Sequence, residues 1–131
     1  LGSNPLFSDA KNTITAPFEQ RIEIFTPPYL YQGGARPVIT DGPATVARGR
    51  TATFASPDAS RIVKARLIRP SAVTHVTDVE QRSIALDMST KDGQLTVTVP
   101  GDPAIVPPGN YMLFVTDAAG VPSVARWVQV P

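Results

Sequence analysis

Turn-forming residues cut this chain every dozen positions or so, and the intervals between them are short alternating runs. Its 14 prolines, about twice the usual share, and 9 glycines do most of the cutting. Arg21-Ile22-Glu23-Ile24-Phe25 alternates and stops at Thr26-Pro27-Pro28. Pro37-Val38-Ile39-Thr40 ends at Asp41-Gly42-Pro43, where Gly and Pro impose backbone angles that a strand cannot use. Residues 44–47 follow, then Arg48-Gly49-Arg50, then Thr51-Ala52-Thr53-Phe54-Ala55. In 62–69 the pattern places Val63, Ala65 and Leu67 on one face and Lys64 and Arg66 on the other. Residues 81–88 and 94–99 flank Ser89-Thr90-Lys91-Asp92-Gly93, whose Asp-Gly pair signals a hairpin. Residues 111–116 and 121–130, joined by Asp117-Ala118-Ala119-Gly120, complete the set. No interval carries a convincing helical period. About seven to eight short strands at this spacing predict an all-β, antiparallel β-sandwich.

Two details point to the immunoglobulin-like class. Val106-Pro107-Pro108-Gly109-Asn110-Tyr111 places a tyrosine at the start of a late strand, just after a Pro-Gly turn. That is the setting of a tyrosine corner, in which the phenol bonds back to nearby backbone while the ring packs in the core. An incidental buried tyrosine is the plainer alternative. The strand it opens is apolar on both faces, with Tyr111, Leu113 and Val115 on one and Met112 and Phe114 on the other. Either the strand is internal to its sheet, or its second face meets a loop of this chain or a partner domain. The predicted core includes Val63, Leu67, Leu95, Val97, Tyr111 and Leu113.

A chain of 131 residues fits one domain with a real core. Its hydrophobic content of 42% and charged content of 18% belong to an ordered globular protein. The formal net charge is +1 and the basic residues are spread out, which argues against a nucleic-acid partner or an anionic membrane surface. No run approaches the roughly 18 apolar residues of a membrane-spanning helix, so no membrane insertion is expected. There is no cysteine, so no disulfide supports the fold.

Residues 1–18 read differently, as a loop-like leader with Asn4-Pro5, Asp9 and Lys11-Asn12 and little alternation. They are expected to be a linker or tail, with the sandwich occupying 19–131. The opening Leu1-Gly2-Ser3 suggests a fragment of a longer protein, and an expression-vector remnant accounts equally well for those first residues.

The one histidine, His75, lies in the polar run Arg69-Pro70-Ser71-Ala72-Val73-Thr74-His75-Val76-Thr77-Asp78-Val79-Glu80-Gln81-Arg82, between two strand-like segments. Imidazole is the commonest metal-ligand side chain. A copper or zinc site needs three or four protein donors, so His75 is either an ordinary surface histidine or one part of a site completed elsewhere. If it serves such a site, it is expected to be exposed at the tip of a projecting 70–80 segment, with few buried contacts and no strong hydrogen-bond partner, and with Val73, Val76 and Val79 exposed around it or packed against a neighbouring molecule. Asp78 and Glu80, two residues apart on a loop, fix no carboxylate separation and do not make a glycosidase pair.

From residue 18 to 130 the sequence resembles the C-terminal immunoglobulin-like (E-set) domain of the galactose oxidase and glyoxal oxidase family of radical copper oxidases. The resemblance rests on several blocks in the family order. The first two are Ile24-Phe25-Thr26-Pro27-Pro28-Tyr29-Leu30-Tyr31 and Arg36-Pro37-Val38-Ile39. Thr74-His75 follows, with Asp78 and Gln81-Arg82 after it. Pro108-Gly109-Asn110-Tyr111-Met112-Leu113-Phe114 and Ala119-Gly120-Val121-Pro122-Ser123-Val124-Ala125 complete the match. In that family the histidine of the Thr-His block is a copper ligand, carried on a hairpin that enters the pore of an upstream seven-bladed, kelch-type β-propeller of the same polypeptide. Carried over, the ligand is His75. Thr74, Thr77, Asp78, Gln81 and Arg82 are then expected to support it or to contact the propeller.

The resemblance also implies what lies elsewhere. The family's other ligands are two tyrosines and a second histidine on the propeller, and one tyrosine is cross-linked to a cysteine that this chain lacks. Residues 1–5 resemble the end of the last propeller blade. Ser83 departs from the second basic residue that many relatives place after Arg82. No catalytic residue is expected in this chain. The parent is expected to be a secreted, extracellular or cell-surface enzyme that oxidises a primary alcohol or aldehyde with O₂ to give H₂O₂. The alternative is a non-catalytic extracellular interaction module or a carbohydrate-binding sandwich. For the latter, Trp127, Tyr29 and Tyr31 are the stacking candidates, although Trp127, in the last strand, is expected to pack.

Overall fold

The computed structural model describes residues 23–31, 34–75 and 77–131. Its strands are β1 (Thr51–Ala55), β2 (Ile62–Ile68), β3 (Val73–Thr74), β4 (Thr77–Asp78), β5 (Ser83–Lys91), β6 (Gln94–Thr98), β7 (Gly109–Asp117) and β8 (Arg126–Val130). Six of them form one antiparallel array in the order β1-β6-β5-β2-β7-β8, and β3 pairs with β4 alone. The array curls into the two layers of an all-β, E-set sandwich because β5 serves both. Residues 83–86 of β5 pair with β2, whereas residues 87–91 pair with β6. On the opposite side, residues 40–46 stitch the two edges together. The N–H of Thr40 donates to Ala55 of β1 at 2.9 Å, and that of Val46 donates to Gln129 of β8 at 2.8 Å. These isolated bridges cover the ends of the two edge strands, where open backbone groups would otherwise invite pairing with another chain.

Period-two alternation then fills the interior. Phe54, Ala65, Leu67, Ile84, Leu86, Leu95, Val97, Tyr111, Leu113, Val115, Val128 and Val130 form one buried cluster. Two turns give this pattern its register. Asp92 and Gly93 both have positive φ, 49° and 75°, as the two-residue hairpin between Lys91 and Gln94 requires. Gly42, with φ 145°, lies where a Cβ would stand 2.2 Å from the Phe54 ring, so the crossing from β1 to β8 needs glycine.

The tyrosine corner is present: Tyr111 is fully buried and its hydroxyl donates to the Pro107 carbonyl at 2.8 Å. Its strand, β7, is internal, between β2 and β8. Met112 and Phe114 on the outer face are half-buried.

Three expectations are corrected. Val63 is 51% exposed and Ile62 takes the inward place, because a bulge between Ile62 and Lys64 shifts the alternation by one residue at the start of β2. Trp127 does not pack inside; it stands 56% exposed on the outer face opposite Met112, since Val128 and Val130 hold the inward positions of β8. The alternating run near residue 21 forms no strand over 23–27, where Ile24 and Phe25 are exposed; residues 1–22 lie outside the described residues.

Candidate functional site

The run around His75 leaves the sandwich at the end of β2 and returns at the start of β5. Its base is closed by the Arg69 N–H donating to the Arg82 carbonyl at 3.1 Å. Above that base it folds as a small hairpin, with Val73 opposite Asp78 and Thr74 opposite Thr77. His75 takes the first of the two turn positions, with φ 51°. A two-residue hairpin turn needs positive φ there, and Gly or Asn meets that demand with least strain. His75 is exposed. Val73 and Val79 flank it, 65% and 66% exposed; Val76 lies outside the described residues.

Strands of two residues do not hold themselves together in water, so the loop is held by side chains. Asp78 Oδ1 accepts the N–H of Ala72 and the N–H of Glu80, each at 3.1 Å. The Ala72 N–H above all, with the Ser71 side chain and the Glu80 N–H, holds the Asp78 carboxyl below the usual carboxylate range. Glu80 forms an ion pair with Arg69 Nε. Arg82 donates to the Ala104 carbonyl at 2.7 Å and so ties the return limb to the neighbouring loop.

Of the residues singled out from the sequence, Thr77 and Gln81 are exposed and Asp78 is half-buried. Thr74 stands opposite Thr77 in the ladder. Asp78 and Arg82 are engaged within the chain itself. Arg69 and Glu80 carry no motif of their own. Their opposite charges at the two feet of one loop are the signal that could have marked them. Among the described residues, no group of three or more His, Cys, Asp or Glu side chains could hold a metal ion. What the chain presents is a single exposed imidazole on a braced hairpin, which can contribute one donor to a site whose others come from elsewhere.

The domain as a whole has known relatives. The galactose oxidase-like, Early set domain family is matched over residues 36–130. A galactose oxidase of Gibberella zeae is 40% identical over 114 residues, which cover 82% of this chain and 16% of that protein. The aldehyde oxidase GLOX of Vitis pseudoreticulata is 36% identical over 140 residues, covering 98% of this chain and 26% of that protein. A solved fungal alcohol oxidase of the AA5 family, in complex with copper, superposes with a TM-score of 0.73 at 37% identity. That match covers 80% of this chain and 23% of the oxidase. The chain thus spans a quarter or less of the first of these relatives.

Proposed function

The chain belongs to the galactose oxidase-like Early set domain family, and we propose that it is the C-terminal accessory domain of a secreted radical copper oxidase, with His75 as one of the copper ligands. On this reading the other ligands and the radical cofactor lie on an upstream seven-bladed β-propeller of the same polypeptide. The parent enzyme oxidises a primary alcohol or aldehyde with O₂ and releases H₂O₂. The residues before 19 are the connection to that propeller.

The observation that carries the reading is the placement of His75. It occupies a positive-φ turn position, a setting uncommon for a side chain with a Cβ, and it is exposed at the tip of a braced hairpin. Strained backbone clusters at functional sites, where the surrounding structure holds it in place. Copper, when bound, supplies one-electron redox capacity and Lewis acidity at the reacting oxygen. The residues of this chain do the rest of what falls to it. His75 donates an imidazole nitrogen, Asp78 and Glu80 hold the hairpin, and Val73 and Val79 shed water as they enter the propeller pore. Thr74, Thr77, Gln81 and Arg82 meet the pore wall.

The test is made in the full-length parent. His75→Ala should abolish stoichiometric copper binding and H₂O₂ production together. A His75→Ala parent that keeps its copper would overturn the assignment.

The exposed Trp127 supports a second reading, a carbohydrate-binding module that stacks sugar rings on the outer sheet face. Titration with oligosaccharides should then quench its fluorescence; an unchanged spectrum would dispose of that reading.

A further inference from the structure

We propose that Arg69 is the positioning residue for His75, transmitting the rigidity of the tyrosine corner to the hairpin that carries the imidazole. This inference rests on the reading of His75 as a copper ligand.

Arg69 follows the last residue of β2, at the foot of the hairpin. Its guanidinium lies 5.8 Å from the centroid of the Tyr111 ring, within cation–π range. A Cβ on Gly109 would stand 3.3 Å from Arg69 Nη2, so the glycine of the Pro-Gly turn leaves room for the guanidinium. Its Nε faces Glu80 on the return limb of the hairpin. The side chain is thus enclosed by the Tyr111 ring, the Gly109 backbone and the Glu80 carboxylate, with 20% of it exposed.

Each contact leads to something rigid or to the hairpin. Tyr111 is fully buried and tethered through its hydroxyl to Pro107. Glu80 donates its N–H to Asp78, which also accepts the N–H of Ala72. Asp78 is the residue of β4 that stands opposite Val73. A continuous path therefore runs from Tyr111 through Arg69, Glu80 and Asp78 to the ladder whose turn holds His75. A guanidinium can face the ring within cation–π range and pair with the carboxylate at once, which an ammonium does less well. The Arg69 side chain is the more enclosed of the two, 20% exposed against 37% for Glu80.

Arg69→Met and Glu80→Gln cut the path at different links, and Arg69→Lys keeps the charge without the guanidinium fork. In this chain, amide exchange at Ala72 and Glu80 and backbone order at residues 73–80 are read by NMR, beside the global melting temperature. Both cuts should speed exchange in the hairpin while leaving the β2, β5 and β7 amides protected, and Arg69→Lys should fall between them and the parent sequence. In the full-length protein both cuts should weaken Cu(II) binding about threefold to tenfold, less than the loss of a direct partner of a metal-ligating histidine, because they act on His75 only through the hairpin. They should also broaden the copper EPR spectrum. Unchanged hairpin exchange in both variants would overturn the proposal, as would a loosened hairpin with unchanged copper affinity. If Arg69→Met does not fold, Glu80→Gln decides alone, because it removes a charge from a half-exposed carboxylate and no core contact. Retention of copper by His75→Ala is a separate result: it defeats the ligand reading itself, whatever Arg69 does to the hairpin.

Discussion

His75 shows how far one residue can run against its local setting. The first position of a two-residue hairpin turn has positive φ, where a side chain with a Cβ is strained and Asn or Gly is at ease. Histidine is tolerated there better than most residues, yet Asn and Gly meet the same backbone conformation with less strain. Replacing it by Asn should therefore ease the backbone of the isolated domain. We expect His75→Asn to leave unfolding stability unchanged within about 0.5 kcal/mol, or to raise it slightly. Thermal or urea unfolding checks this, and a loss of 2 kcal/mol or so would mean that the imidazole carries a structural contact that matters. Tyr111 is the opposite case, a residue whose setting and role agree. Its place after the Pro-Gly turn announces the corner, and the 2.8 Å bond to Pro107 completes it.

Among the elements, the β3–β4 hairpin depends most on charge. Asp78 is its central acceptor, and its carboxyl is held below the ordinary value of 3.8. A depressed folded pKa means that the carboxylate stabilises the folded hairpin above the unfolded value, and that this contribution is lost as pH falls through the folded one. The amide resonances of Ala72 and Glu80 should then shift together in one titration below about pH 4, while amides of β2 and β7 hold still. Independent movement of the two resonances would show that Asp78 does not join them. The β2 strand carries a different lesson. Simple alternation assigns Val63 inward, but the bulge after Ile62 reverses that assignment at the strand's first turn of the pleat and leaves Ala65 and Leu67 correctly placed. A bulge depends on how β2 meets β7, which no local pattern records.

For the molecule as a whole, the hydrophobic cluster is complete without any ligand, and no described group of side chains can hold a metal by itself. Folding of this chain should therefore be independent of copper. Thermal melts with and without a chelator should coincide, and the chain given copper, O₂ and galactose or methylglyoxal should make no H₂O₂ above a metal-only blank. A copper-dependent rise of several degrees, or turnover, would reveal ligands beyond His75. Among the described residues no helix is long and apolar enough to cross a membrane.

Strand periodicity, the Asp92-Gly93 hairpin and the tyrosine corner were all legible in the amino-acid sequence, because each depends on residues within a few positions of one another. So was the conspicuous position of His75, since a lone imidazole among threonines between two strands needs no fold to be noticed. Tertiary structure alone decided the division of β5 between two layers, the outward stand of Trp127 and the bulge in β2. The opposite charges of Arg69 and Glu80 hint at their pairing, but tertiary structure alone set that pair against Gly109 and Tyr111. Those outcomes depend on which strand lies beside which, and on contacts between residues as far apart as β2 and β7. Side-chain type and spacing along the chain carry no record of such contacts until the sheet has closed around them.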